Sequence, residues 1–99
     1  MDDVLRIGEL EVHPGAGLAR AAGRPITLSV REFGVLVALL RRAGRVVSRD
    51  ELFAEVWGGA LRPDDRSVDV YVHKLRVKLA GALPDRPLIH THFGFGYRV

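Results

Sequence analysis

The apolar positions change period along the chain, and the change divides it. Through the first 28 residues the sequence breaks into short β-like pieces, VLRIG, LEVHPGAG, LARAAG and RPITL, separated at Gly8, Pro14-Gly15, Gly17 and Gly23-Arg24-Pro25. Pieces this short and this closely spaced predict an antiparallel meander of four strands. From Ser29 the spacing becomes helical. Ser29 and Glu32 stand at capping-box separation, and Phe33, Leu36, Val37 and Leu40 then recur on one face until Arg41, Arg42 and Gly44 provide a last turn and a stop. The arginines of that last turn need no role beyond offsetting the helix dipole and meeting solvent.

After RVV, which reads as a brief strand, Ser48 and Glu51 repeat the capping-box spacing. Leu52, Phe53, Val56 and Trp57 form the apolar face of a short second helix, closed by Gly58-Gly59. A polar connection follows, in which Asp64 or Asp65 is placed to cap a third helix running from about residue 66 to about residue 80, before Gly81. The segment LPDRP then makes a rigid turn into the C-terminal stretch. The third helix has one apolar stripe, Val68, Val72, Leu75 and Leu79, at steps of four, three and four. Arg66, Val70, His73, Lys74, Val77 and Lys78 therefore fall on the opposite side, with Ser67 close by. A face that serves only solvation favours Glu and Lys, so two valines among cations point to a partner. Asp69, the acid in the middle of this helix, is expected to pair locally with His73 or Arg76.

Composition narrows the choice of partner. Ninety-nine residues with 47% hydrophobic content suit one domain with one core. No run of about 18 apolar residues could span a membrane, and the acidic opening MDDVLRIGELEV lacks the pattern of a signal peptide. A cytoplasmic location is expected, and the absence of cysteine agrees with it. The net charge of +3 is unevenly placed: residues 1–65 carry nine Arg against ten Asp or Glu, whereas residues 66–99 carry six Arg or Lys against two Asp. Positive potential is concentrated in the last third, as a polyanion partner requires. The major groove of DNA admits an α-helix and offers acceptors to Lys and Arg and thymine methyls to apolar side chains. Duplex RNA, whose major groove is narrow, suits an outward-facing Val70 less well.

Other chemistries fare worse. His90 and His92 stand on one face of a short strand, with His13 as a conceivable third metal ligand, but no further acid, histidine or cysteine is tied to them. The GFGY segment is no dinucleotide fingerprint, because no helix follows it. Ser29 and Ser48 are accounted for as caps. Neither catalysis, a metal nor a cofactor is expected. A domain that binds protein or RNA is the remaining alternative.

The element order, a four-stranded sheet (residues 1–28), a three-helix core (29–83) and a glycine-tipped β-hairpin (88–99), is an α+β winged helix-turn-helix in a single domain spanning 1–99. The stretches LSVREFGVLVALLRRAGRVVSRDELFAEVWG, RSVDVYVHKLRVKL and THFGFGYRV resemble the OmpR/PhoB family of response-regulator effector domains, which bind DNA to regulate transcription. The resemblance implies that the helix matching Arg66 to Leu79 enters the major groove of promoter DNA and that the hairpin reaches the flanking minor groove. It implies Val70, His73 and Lys74 for base contact, and Arg66, Ser67, Tyr71, Arg76 and Lys78 for phosphates or for framing the helix. The family often has arginine where Lys74 stands, so a bidentate grip on guanine gives way here to a point charge. Trp57 matches a tryptophan that meets phosphate through its indole N–H, and Thr91 a threonine that does so near the wing.

The resemblance further implies that loop 58–65 touches RNA polymerase and that two copies lie head to tail on tandem direct repeats. The family normally carries a receiver domain with a phosphorylated aspartate. Nothing here matches one, so an excised effector domain or a regulator without a receiver is expected. In the wing, Ile89 and Thr91 start the outgoing strand, Gly94-Phe95-Gly96 turns, and Tyr97 packs inward against the third helix. Relatives usually have Val-Arg where this chain has His92-Phe93. Wing contact then rests on Arg98, on His92, on stacking or packing by Phe93, or is weak.

Overall fold

The structure, a computed structural model, describes residues 3–99. Four strands, β1 (Leu5–Ile7), β2 (Leu10–His13), β3 (Leu18–Ala21) and β4 (Arg24–Ile26), pair in sequence order as an antiparallel meander. The register sets Leu10 opposite Ala21 and Val12 opposite Ala19, and all four are buried. Large residues on β2 thus face small ones on β3, leaving room for a helix to seat on that side. The outward Glu11 receives hydrogen bonds from Arg6 and shares one with His13. That bond to His13 is the main reason its carboxyl lies below the usual range.

Helix α1 (Val30–Arg41) begins with the complete capping box: Ser29 Oγ accepts from Glu32 N and Glu32 accepts from Ser29 N. Its buried apolar positions are Val35, Leu36, Ala38, Leu39 and Leu40, while Phe33 and Val37 are half-buried. The buried arc is broader than the predicted stripe and rotated from it, because α1 packs against β1, α2 (Arg49–Val56) and α3 (Ser67–Ala82) together. Each leucine buried there contributes about 1.5–3 kcal/mol. In α2 only half of the predicted box forms. Ser48 Oγ accepts from Glu51 N, but the Glu51 carboxylate turns to Arg45.

Helix α3 runs through Gly81 instead of stopping before it. The stop is supplied by Pro84, which disfavours helical backbone at Leu83, and Leu83 accordingly adopts φ −134°. At the other end Arg66 is the capping residue and makes no side-chain cap bond, but Asp65 Oδ1 accepts from both Ser67 N (2.8 Å) and Ser67 Oγ (2.5 Å). Those bonds hold the Asp65 carboxyl below its ordinary range.

The wing consists of β5 (His90–His92) and β6 (Gly96–Arg98) in antiparallel register, Thr91 opposite Tyr97. The turn is Phe93-Gly94-Phe95, one residue earlier than predicted. Phe95 N donates to His92 O, and Gly94 at φ +82° supplies the positive angle that a type II turn requires at its third residue. Gly96 belongs to the strand. A Cβ there would lie 2.0 Å from Val47 O, so glycine is what lets β6 lie against residue 47. The predicted RVV strand is this contact: Val47 N donates to Tyr97 O at 2.7 Å and Tyr97 N donates to Val47 O at 3.0 Å. Among the described residues no helix is long and apolar enough to cross a membrane.

Candidate nucleic-acid interface

Val68, Val72, Leu75 and Leu79 are buried, fixing the orientation of α3 as its periodicity predicts. The opposite face presents Arg66, His73, Lys74 and Lys78 together with Val70, 46% exposed, and Val77, 60% exposed. Lys74 Nζ lies 4.7 Å from the centre of the Tyr71 ring one turn back, an attraction that holds the ammonium along the helix while leaving it exposed. Val70, His73 and Lys74 thus form a continuous exposed surface, with apolar contact available at either side of the cations.

The remaining cations divide by what they already hold. Lys78 Nζ donates to Glu32 Oε1 at 2.6 Å. Glu32 is 2% exposed, and burial raises its pKa, but the hydrogen bonds from Lys78 and Ser29 outweigh burial and keep the carboxyl below its ordinary range. Arg76 donates to Ile89 O and to Thr91 Oγ1 (2.6 Å) and lies over the Tyr97 ring at 5.5 Å. Arg76 and Thr91 therefore join α3 to β5. Arg66 and Arg49 both pair with Asp69 at 3.2 and 2.8 Å, and the Tyr97 hydroxyl donates to the same carboxylate. The expected pairing of Asp69 with His73 or Arg76 gives way to partners from α2 and β6, which lie on its side of the helix. Burial, followed by the hydrogen bond to Asp69, pushes the Tyr97 phenol up to about 12.

Trp57 caps the C-terminus of α2. It stacks on Phe53 (5.5 Å, 6° between planes), meets Tyr71 edge-on at 5.5 Å, and carries the Arg31 guanidinium 5.3 Å from its centre. Arg31 also donates to Val56 O, satisfying a carbonyl at the end of α2. Trp57 is half-buried, so it both packs the α2 end against α3 and keeps an edge toward solvent. Loop 58–65 is exposed, except that Leu61 and Asp65 are half-buried.

On the wing, Phe93 is 87% and Phe95 76% exposed. Phe95, in the turn as expected, is also a surface residue. Its signal was available, since a hairpin tip leaves no strand to cover an aromatic between two glycines. Arg98 Nε donates to His92 Nε2 at 3.2 Å. His90 is exposed and His13 is bound to Glu11. Among the described residues no three His, Cys, Asp or Glu side chains gather as a metal site.

Residues 23–99 match the family described as transcriptional regulatory protein, C terminal. The chain is 40% identical over 94 residues to the transcriptional regulatory protein CreB of Escherichia coli (strain K12), covering 95% of this chain and 41% of CreB. It thus spans about two-fifths of that regulator's length. Among solved structures, the DNA-binding domain of CpxR from E. coli superposes with a TM-score of 0.90 at 34% identity, covering 98% of this chain and 95% of that one. The DNA-binding domain of RstA from Klebsiella pneumoniae, in complex with the RstA box, gives 0.87 at 30% identity, covering 97% and 95%.

Proposed function

The chain belongs to the family of transcriptional regulatory protein C-terminal domains, of OmpR/PhoB type, and on that premise we propose that it binds double-stranded DNA in a sequence-specific way to regulate transcription. The family is one of regulators and not of enzymes. Within the proposal, α3 lies in the major groove. Val70, His73 and Lys74 meet base edges, and Arg66, Ser67, Tyr71, Trp57 and Arg98 meet phosphates or the groove margin. Arg76, Lys78 and Thr91 hold the frame. The carrying observation is the exposed pair Val70 and Val77 among cations on a helix whose other face is fully buried. The valines have thymine methyls as partners and the cations have guanine acceptors and phosphates. The DNA complex of RstA supports the same reading for a close structural relative.

The finer part of the proposal rests on the resemblance to the family. The domain acts in the cytoplasm as the effector part of a longer response regulator, two copies occupy tandem direct repeats head to tail, and loop 58–65 faces RNA polymerase. Selection of bound duplexes from a random pool tests the core of the proposal and yields the site and its repeat spacing. Against the selected site, Lys74→Ala is expected to cost about 1–3 kcal/mol and to relax one base preference. An equal loss on every duplex would reassign Lys74 to phosphate. Binding indifferent to salt would overturn the groove reading altogether.

A further inference from the structure

We propose that Phe93 and Phe95 form a two-ring wedge that enters the minor groove beside the α3 site and unstacks a base step there. The inference rests on the duplex-DNA reading and assigns to the wing a contact that does not depend on an inserted arginine. Two phenylalanines, 87% and 76% exposed, flank one glycine at the tip of a hairpin. Rings left in water in this way are exposed at a cost that only a partner removes. The support beneath them is rigid. Thr91 is held by Arg76, its cross-strand neighbour Tyr97 is held by Asp69, and Tyr97 exchanges two backbone bonds with Val47.

Each phenylalanine is two residues from that Thr91–Tyr97 rung, so the tip projects about 7 Å beyond it. A projection of this length carries the rings clear of the domain body, and the backbone beneath them is already ordered when they insert. The surroundings select the occupant. Residues 86–99 contain no Asp or Glu but carry Arg86, Arg98, His90 and His92. An apolar groove on a protein gives no reason to exclude acids around the rings, whereas a polyanion does. Arg98, on the third rung behind the tip and in contact with His92, adds positive charge on the wing behind the rings. Apolar side chains that enter the minor groove part the stacked bases and bend the duplex. Pyrimidine–purine steps yield most easily, so the wedge reads deformability without reading base edges.

The test uses the selected duplex with 2-aminopurine placed at successive steps of the flank, and the same duplex end-labelled for energy transfer. Binding of the wild-type chain is expected to raise the fluorescence several-fold at one flank step and to shorten the end-to-end distance. The double variant Phe93→Ala/Phe95→Ala should lose both signals and bind about tenfold more weakly, yet keep its preference within the α3 site. Both rings are exposed, so an unchanged melting temperature confirms that the variant is folded. A flat fluorescence profile with tight wild-type binding overturns the wedge and leaves the α3 reading standing. So does a rise that persists in the double variant. Loss of cooperativity on a two-repeat duplex, with single-site binding unaffected, would overturn it in favour of contact with the neighbouring copy. A wild-type chain that binds no duplex overturns the function and the wedge together.

Discussion

Replacing Glu32 separates two things that this carboxylate does. It closes the capping box of α1 by accepting from Ser29 N at 2.7 Å, and it accepts from Lys78 Nζ at 2.6 Å across the α1–α3 contact. Glu32→Gln keeps an oxygen for the cap but removes the charge. The loss combines an acid favourably placed at a helix N-terminus, about 0.3–1 kcal/mol, with a charge-assisted bond whose lysine is partly solvated and therefore screened, about 1 kcal/mol at most. A total of up to about 2 kcal/mol corresponds to a fall of up to roughly 15 °C in melting temperature for a chain of this size. Glu32→Ala also removes the cap acceptor and should cost about 1 kcal/mol more.

The pH profile identifies the charge. The carboxyl of Glu32 lies below its ordinary value of 4.5 in the folded chain, so its contribution is complete above 4.5 and disappears as the pH falls through the folded value. The gap between wild type and Glu32→Gln should be constant from pH 7 to about 5 and narrow in more acidic solution. A gap that is absent at pH 7, or that survives unchanged at low pH, would refute this account of the pair. Removing the acid also releases Lys78 at the margin of the α3 face. If the chain binds DNA there, the salt slope should steepen by up to about 1, readable by anisotropy titration at several salt concentrations.

Gly96→Ala would place a Cβ 2.0 Å from Val47 O at a backbone φ of +147°, which neither strand can absorb. Losing two backbone bonds and adding strain should cost about 3–5 kcal/mol in urea denaturation, and a cost below about 1 kcal/mol would show that the wing docks differently. Tyr97 should ionise near pH 12, with burial the leading cause. Absorbance at 295 nm, taken as wild type minus Tyr97→Phe, checks this; a difference titrating at 10 would mean that the phenol is neither buried nor held by Asp69. Since the folded state favours the neutral phenol, the stability it contributes is present below pH 10 and is lost as the pH rises through about 12.

Much of this architecture was legible because local signals and burial agree. Four strands lie between glycine and proline turns, and Ser29 and Ser48 cap helices where their spacing places them. The stripe of α3 was readable for the same reason: Val68, Val72, Leu75 and Leu79 are a one-sided pattern on a helix packed from one side. On α1, packed from several sides, a single stripe was the wrong template. Gly81 resembled a stop, yet Pro84 made the stop, since glycine permits a left-handed end without imposing one. Long-range polar pairing was the least legible feature. Glu32 with Lys78 spans 46 positions and Asp69 with Tyr97 spans 28, and no local rule connects such pairs. Arg76 and Lys78 could be counted as cations from sequence, but not as cations whose donors are already engaged.

The carboxylate of Asp69 gathers Arg49 from α2, Arg66 at the head of α3 and Tyr97 from β6. Helix and wing are thereby tied to one another through a single carboxylate. If α3 and the wing contact one duplex as proposed, one extra base pair between their two segments turns one against the other by about 35°. A frame fastened in this way resists following that turn. The two segments then form a single word of fixed length, and a spacing change within it is as damaging as a wrong letter.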